Sequence, residues 1–453
     1  MTQDNDPGAA TPLTLAQLDF WEEFQAHPGE AVSTVAHALE LRGALDMAAL
    51  AQAIRATIAE TDVLALRFQP GPDGLPRQMV DPQRRPALRL LDLSGDADPL
   101  GHAMRLMRQD VDAPVDLLRR PIAAQWLVRL GPDHAVWYHR GHHIALDGYA
   151  MSLIESRCAQ LYAQGHGATP GRALDHFAAY LAEEAAYRDS PRHLADGRHW
   201  ADILSATPAP QMLDKGSEDY PAHPLTHDED LSSLREALLA QAARTGIGWP
   251  DLLTTLASAW TVLHLGDGSA ARQRDHDGRL AMPVWLPYLS RMGSVAINIP
   301  ALVVNILPFD ANLAASEPLG QVLTRLAGRL RKLRRHGRYR IEQIASDHGL
   351  SSRQRFFFSP LINVLPFDPA QFQGCACQRH VLSNGPGDGF NITIRADGQA
   401  RHLELLIEAD PALTPADDFA RHAASLPAFL RTGLTEAALN RPVGALTALR
   451  EAA

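Results

Sequence analysis

The sequence is short of cysteine: three residues in 453, at Cys158, Cys375 and Cys377. Three thiols build no disulfide framework and fit a reducing compartment, the cytoplasm. Cys375 and Cys377 form a C-x-C with no second pair, which argues against a zinc site. Positive charge is in deficit as well: 42 Lys+Arg against 52 Asp+Glu gives a formal net charge of −10. That balance argues against a large nucleic-acid footprint and is compatible with a cationic small substrate. No apolar run approaches the ~18 residues that span a bilayer. The polar, acidic start from Met1 to Pro12 has neither the basic nor the apolar region of a secretory signal. Also missing are a Gly-x-Ser-x-Gly elbow, which leaves Ser-His-Asp catalysis little support, and a Walker or Rossmann phosphate loop. There is no internal repeat, and no low-complexity segment beyond alanine richness.

What is present suits a folded enzyme. Apolar residues make up 46% and charged residues 21%, near the soluble globular average. The length suggests two or three domains, or two large halves sharing a core. Thr14 to Gln25 reads as a helix with Thr14 as N-cap, because Leu15, Leu18, Trp21 and Phe24 recur at helical spacing. Strands are expected at Val35–Arg42 and Val63–Phe68, with a helix from Asp46 to Glu60 between them. Ile122–Leu130 and Ala135–Ile144, separated by Gly131-Pro-Asp133, read as a hairpin of buried strands, and a helix from Tyr149 to Gln164 follows. Helical pieces at Leu174–Ala186 and His199–Ser205, with loops at 206–210 and 220–224, form a crossover. The second half restarts with helices Leu231–Thr245 and Pro250–Leu265. Strands follow at Arg279–Trp285, Ala301–Pro308, Pro360–Leu365, Phe390–Arg395 and His402–Glu408, with a helix at Leu319–Arg335. A last helix, Pro415–Thr432, is expected to start with proline at its first position behind Thr414. Alternating strands and helices in both halves point to α/β layers.

The chemistry-bearing segment is His139-Arg-Gly-His-His-Ile-Ala-Leu-Asp-Gly148, where a buried strand gives way to a helix. Adjacent histidines on a strand project to opposite sides, so one of His142 and His143 faces a cleft and the other the packed interior. Asp147 precedes Gly148, which would allow a tight turn or a close backbone approach, so a bulky residue at 148 is expected to disturb the loop. One imidazole is then available for acyl-transfer chemistry near neutral pH. Two other readings stand beside this one. Strand histidines are commonly structural, and imidazoles with a carboxylate can hold a metal, although no third ligand stands at a suggestive spacing.

His142-His-Ile-Ala-Leu-Asp-Gly148 resembles the HHxxxDG pattern of nonribosomal peptide synthetase condensation domains, of the chloramphenicol acetyltransferase-like superfamily. The order of accompanying segments strengthens the resemblance. Leu15-Ala-Gln-Leu-Asp-Phe-Trp21 and Glu60-Thr-Asp-Val-Leu-Ala-Leu-Arg-Phe68 resemble its first motifs. Trp285–Ser294 and Val304–Pro308 resemble its middle ones, and His336–Ile344 and Ser359–Pro366 its late ones. Together they span about residues 13–432. Within the family the nearest likeness is to free-standing amide synthases of the vibriobactin type. It is carried by His142–Tyr149, Gly246–Asp251, Arg291 with Gly293–Ala296, and Gly337–Ile344. The condensation domain that opens the enterobactin synthetase is a second likeness, and the placement of motifs near both ends of the chain favours the free-standing form.

The resemblance implies two acetyltransferase-like α/β subdomains, 1–178 and 179–453, forming a V-shaped pseudo-dimer with the active-site tunnel between them. It implies a catalytic role for His143 in that tunnel, with His142 and Asn363 beside it, and structural roles for Asp147, Gly148 and Arg291, the last as the salt-bridge partner of Asp147. Met292 departs from the vibriobactin-type pattern, which has an aromatic residue there. The implied reaction transfers an acyl or aryl group, 2,3-dihydroxybenzoyl in catechol siderophore assembly, from a carrier-protein thioester to a soluble amine such as spermidine or norspermidine. No metal and no bound cofactor are expected, since phosphopantetheine arrives on the acyl or aryl carrier protein; a monomer is expected. The alternatives are a condensation domain joining two carrier-bound substrates and a catalytically inactive docking scaffold.

The stretch from Leu319 to Tyr339 carries Arg325, Arg329, Arg331, Lys332, Arg334, Arg335 and Arg338. This is either a solvated helix face with cations at its C-terminal end or a docking patch for an acidic carrier protein. Phe356–Phe358 reads as core packing, Cys158 as a small buried residue, and His134, His139, His336 and His348 as non-catalytic.

Overall fold

The structure is a computed structural model that describes residues 10–206, 212–215, 220–221, 223–265, 273–274, 278–349, 354–385, 387 and 389–446. Most of the N-terminal stretch and, after Ala206, the loop read at 206–210 therefore lie outside the described residues, as does position 222 of the second loop. Two compact units emerge. The first comprises Met1–His193, Leu289–Val304 and Pro369–Pro386; the second comprises Leu194–Tyr288, Asn305–Asp368 and Gly387–Ala453. Set against an expected single division between 178 and 179, the first unit runs further and takes back two late segments. One reason is visible in its sheet, which recruits a strand from residues 375–384 of the later segment.

In chain order the first unit holds β1 (Thr11–Pro12), α1 (Leu15–Ala26), β2 (Thr34–Gly43), α2 (Met47–Glu60), β3 (Leu66–Pro70) and β4 (Pro76–Val80). It continues with β5 (Leu88–Asp92), α3 (Pro99–Val111), β6 (Ala123–Gly131), β7 (His134–His142), α4 (Gly148–Gln164) and α5 (Phe177–Arg188). After α6 (Pro191–Ala206) come β8 (Met212–Asp214), β9 (Leu225–Asp230), α7 (Arg235–Thr245), α8 (Trp249–His264), β10 (Gln273–Arg274) and β11 (Leu280–Tyr288). The second unit goes on with β12 (Asn305–Leu313), α9 (Leu319–Arg335), α10 (Ile341–Asp347), β13 (Gln354–Phe356) and β14 (Leu361–Pro366). β15 (Cys375–Asn384) belongs to the first unit, and β16 (Phe390–Ala396), β17 (Leu403–Ala409) and α11 (Ala416–Gly433) to the second.

The first unit's main sheet has the order β15-β2-β7-β6-β5, antiparallel except between β5 and β6. Helices cover both faces, and strand alternation decides which residues meet which helix. Leu39 and Leu41 of β2 join Trp137 of β7 in a core with Ile54 of α2 and Ile154 and Cys158 of α4. Ala36 and Ala38 join Val136 and Tyr138 on the other face, under Ala103 and Met107 of α3. The second unit has a seven-stranded sheet ordered β10-β11-β14-β16-β17-β9, with β12 on β11. Its core takes in α8, α9 and α11.

Local sequence explains most boundaries. Thr14 starts α1 with a full capping box: its hydroxyl accepts from the Gln17 amide, and the Gln17 side chain accepts from the Thr14 amide. α9 buries Leu319, Val322, Leu323, Leu326, Leu330 and Leu333 in one stripe. On its polar side Arg325 pairs with Glu317, Arg329 with Asp310 and Arg334 with Asp251. These pairings support the solvated-face reading of the basic stretch. Phe356 is buried against Trp285, and Cys158 is fully buried.

Three expectations change. Residues 62–65 form a 3-10 turn before β3 begins at Leu66. The strand read from Ala301 starts only at Asn305, because the amides of Val303 and Val304 are engaged by the Asp147 carboxylate. In α11 the N-cap is Pro415 itself, at φ −55° and ψ 147°, so helical geometry starts at Ala416.

Candidate active site

The site residues of the first unit sit where β7 turns into α4. β7 ends at His142, so His143 lies in the turn and strand alternation does not govern it. His142 is buried, and its Nδ1 accepts from the Ile144 amide at 3.1 Å. Burial, with His143 and Arg140 nearby, pushes its pKa down to about 3. His142 is therefore a neutral acceptor that shapes the turn.

His143 is held by its surroundings. Its amide donates to the Ser33 carbonyl at 2.7 Å, just before β2. Its ring stacks on Phe20 of α1, with centroids 4.6 Å apart and planes within 12°. Gly385, just past β15, closes the ring edge: a Cβ there would lie 2.5 Å from Cδ2, and the φ of +87° disfavours a side chain in any case. Nδ1 is buried and makes no hydrogen bond to another described residue. Burial lowers the His143 pKa below the ordinary 6.5, against opposing pulls from its own backbone and the Asp147 charge. The imidazole is thus mainly neutral at pH 7, the form that accepts a proton or a hydrogen bond.

Asp147 ends the turn and caps α4, its Oδ1 accepting from the Ala150 amide at 2.8 Å. Oδ2 accepts from Val303 and Val304 at 2.9 and 3.0 Å. Nη2 of the fully buried Arg291 lies 2.9 Å from both oxygens. Burial alone would raise this carboxyl; the Arg291 charge and the three amides outweigh it and hold the pKa below 3.8. Arg291 also donates to the carbonyls of Ala296, Ile299 and Ala301. Its guanidinium lies 4.7 Å from the centroid of the Tyr149 ring. A pair 144 residues apart thus fixes the segment Leu289–Val304 against the turn.

Gly148 departs from expectation. It is exposed, a Cβ on it would meet nothing within 4 Å, and its φ is not in the left-handed region. As the first residue of α4 it tolerates a side chain. Gly148→Ala should leave the Tm unchanged or slightly raised. Gly148→Trp should also fold, and in a turnover assay should raise KM, because its side chain projects from the head of α4 beside the His143 turn. Loss of soluble protein in Gly148→Trp would show that the turn needs glycine.

Asn363 lies in the second unit, half-buried on β14 in register with Thr393 of β16. Met292 is 80% exposed. Phe20, Ser33 and Gly385 were missed as site residues. Phe20 sits inside the opening motif, and Gly385 begins a Gly-Pro-Gly-Asp-Gly run that nothing tied to the histidine turn.

The buried histidine also makes a pH prediction. Unfolded, His142 titrates near 6.5; folded, near 3. Between those values the unfolded chain binds the extra proton, so stability falls as pH drops below about 6.5 and continues to fall toward about 3. His142→Asn, which keeps an acceptor for the Ile144 amide, should flatten that slope in thermal melts from pH 7 to 4.5. An unchanged slope would assign the acid sensitivity elsewhere.

This is an α/β acyltransferase-type fold with a neutral histidine on a strand-to-helix turn locked by a buried ion pair. A family model for the condensation domain matches residues 9–379, and the chain belongs to that family. Condensation domains are the amide-forming acyltransferases of nonribosomal peptide synthesis, and their chloramphenicol acetyltransferase-like fold is the fold of this chain. The chain is 31% identical over 407 residues to an isonitrile lipopeptide synthase of Streptomyces coeruleorubidus, covering 89% of this chain and 27% of that protein. It is 30% identical over 410 residues to enterobactin synthase component F of Escherichia coli O157:H7, covering 88% and 30%. Among solved structures it is similar to VibH, an NRPS condensation enzyme, at 34% identity and a TM-score of 0.84, covering 95% of this chain and 100% of that one. The chain thus spans under a third of the length of these two curated relatives.

Proposed function

We propose that the domain transfers an aryl group, 2,3-dihydroxybenzoyl, from the phosphopantetheine thioester of an aryl carrier protein to a soluble polyamine. The observation that carries the reading is His143: a neutral imidazole, held by Phe20, Ser33 and Gly385, whose Nδ1 makes no hydrogen bond to another described residue. The amine nitrogen attacks the thioester carbonyl, the C–N bond forms, and the C–S bond breaks to release the carrier thiol. The amine loses a proton on the way. Neutral His143 accepts it or orients the amine and stabilises charge in the tetrahedral intermediate. The acidic balance of the chain, −10 overall, suits a cationic amine. No metal or resident cofactor takes part in this scheme, and the likeness to enterobactin synthase component F is in keeping with siderophore assembly.

A second reading has support of its own. The two curated relatives are much longer proteins, which favours a domain acting between two carrier proteins with an aminoacyl acceptor. Incubating the chain with 2,3-dihydroxybenzoyl-loaded carrier protein and free spermidine or norspermidine, with product read by mass spectrometry, separates them. Amide formed without a second carrier supports the first reading. Amide formed only when an aminoacyl-loaded second carrier is added supports the other. No amide in either arm, with both carriers verified as loaded, overturns both.

A further inference from the structure

A second histidine cluster lies where α4 packs on the sheet. Glu155 sits in the buried stripe of α4 between Met151, Ile154, Cys158 and Tyr162, where an apolar side chain would be ordinary, and is fully buried. Three partners meet it. His37 Nδ1 of β2 is 2.6 Å from Oε1, His139 Nε2 of β7 is 3.1 Å from the same oxygen, and Arg379 of β15 pairs with Oε2. Burial alone would raise the Glu155 pKa, but His37, His139 and Arg379 together drive it far below the carboxylate range. An ionised carboxylate only accepts, so His37 carries its proton on Nδ1 and His139 on Nε2.

The three ligand-type groups lie within 4.8 Å of one another, which raises the question of a metal. The charges argue against one. Arg379 already neutralises Glu155, and a divalent cation would add two uncompensated positive charges to a buried site. The cluster is better read as a clamp on four elements.

Those elements are the ones that build the His143 environment. His139 is four residues before His143 on β7. His37 is four residues after Ser33, whose carbonyl holds the His143 amide. Arg379 is six residues before Gly385, and an irregularity between Val381 and Ser383 takes up the offset: Val381 pairs with His37, and Ser383 with Ala36. Ser383 then donates to the Thr34 carbonyl at 2.6 Å, fixing the end of β15 on β2. β2, β7 and β15 are adjacent in the sheet. β7 carries His139 and runs into His143 itself, β2 carries His37 and is preceded by Ser33, and β15 carries Arg379 and is followed by Gly385, so four to six residues, about 13–20 Å at ~3.3 Å per residue, separate the Glu155 partners from the His143 environment.

We propose that Glu155 is a positioning residue: by pinning β2, β7 and β15 to α4 it sets the placement of the His143 ring between Phe20 and Gly385. This rests on the role given to His143 above. The test is Glu155→Gln in the wild-type and His143→Ala backgrounds, assayed with 2,3-dihydroxybenzoyl-loaded carrier protein and spermidine, with ¹⁵N-histidine NMR of the His143 ring on the whole chain. Expected is a tenfold or larger fall in kcat with little change in KM, a shifted His143 titration, and less than a twofold further loss in the His143→Ala background. An equal fold-loss in both backgrounds, or an unmoved His143 titration, overturns the proposal and leaves Glu155 a structural residue. If His143→Ala alone costs nothing, the function assigned to His143 fails, while the NMR readout still reports on the clamp. Should Glu155→Gln melt below the assay temperature, Arg379→Gln, at the more accessible end of the network, is read by the same criteria.

Discussion

His143→Ala should lower turnover of the carrier-bound thioester by about 10²–10⁴-fold, the usual range for losing an acid–base group, while the protein keeps its melting temperature to within a few degrees. The structure separates the two effects. The hydrogen bond to Ser33 comes from the backbone amide and survives the substitution. Nδ1 makes no hydrogen bond to another described residue, so truncation takes no partner from another residue's buried group. What is lost is the stack on Phe20 and the imidazole itself. The activity of the wild type should fall on the acid side as His143 gains its proton, and because burial lowers its pKa that limb lies below pH 6.5. General-base strength is not the whole account, since a polyamine is largely protonated at pH 7 and a thioester is already activated. Near-normal kcat in His143→Ala at saturating carrier and amine would remove the imidazole from the chemistry. Orientation would then carry the rate, with Asn363 and the backbone around Gly148 the next groups to vary.

Much of the fold was legible because its signals are local. The capping box at Thr14, the hairpin around Gly131-Pro-Asp133 and the leucine stripe of α9 each lie within one or two turns of chain, and the α9 limits fall where the periodicity puts them. α3 and β15 were missed for opposite reasons. α3 buries only Ala103, Met107 and Val111, with Arg105, Arg108 and Asp110 interleaved among its apolar residues. β15 is an edge strand of mixed composition, Cys-Ala-Cys-Gln-Arg-His-Val-Leu-Ser-Asn, whose strand partner among the described residues, β2, lies more than 300 residues earlier. That distance also hides the discontinuity of the first unit and the approach of Gly385 to His143. The pairing of Asp147 with Arg291 came from family resemblance, since nothing in local spacing joins residues 144 apart. Glu155 escaped notice because one acid in an apolar helical stripe looks like a flaw in the pattern until His37, His139 and Arg379 are seen around it.

Asp147→Ala should behave quite unlike His143→Ala, destabilising the protein by about 3–5 kcal/mol, the cost of leaving a buried charge unpaired. Arg291 is fully buried, and the contacts described for it that remain are the carbonyls of Ala296, Ile299 and Ala301 and the ring of Tyr149. The substitution also uncaps α4 and orphans the amides of Val303 and Val304. Arg291→Ala should cost a similar amount from the other side, leaving a buried carboxylate with only amide partners. Asp147→Asn is the discriminating variant. Its side-chain oxygen can still cap α4, so it should retain part of the stability while losing the ion pair. Replacing Asp147 and Arg291 together should cost less than the sum of the single changes, because neither charge is then left alone. Urea unfolding of the four variants checks this. A double variant as damaging as the sum would mean that cap and carbonyl contacts, rather than the charge pair, hold the turn. An Asp147→Ala protein within about 0.5 kcal/mol of wild type, the ordinary range for surface changes, would show that the pair does not lock the turn at all. Turnover by whatever Asp147→Asn protein remains folded then isolates the chemistry: if the pair only secures the backbone on which His143 is carried, kcat per folded molecule should stay near wild type.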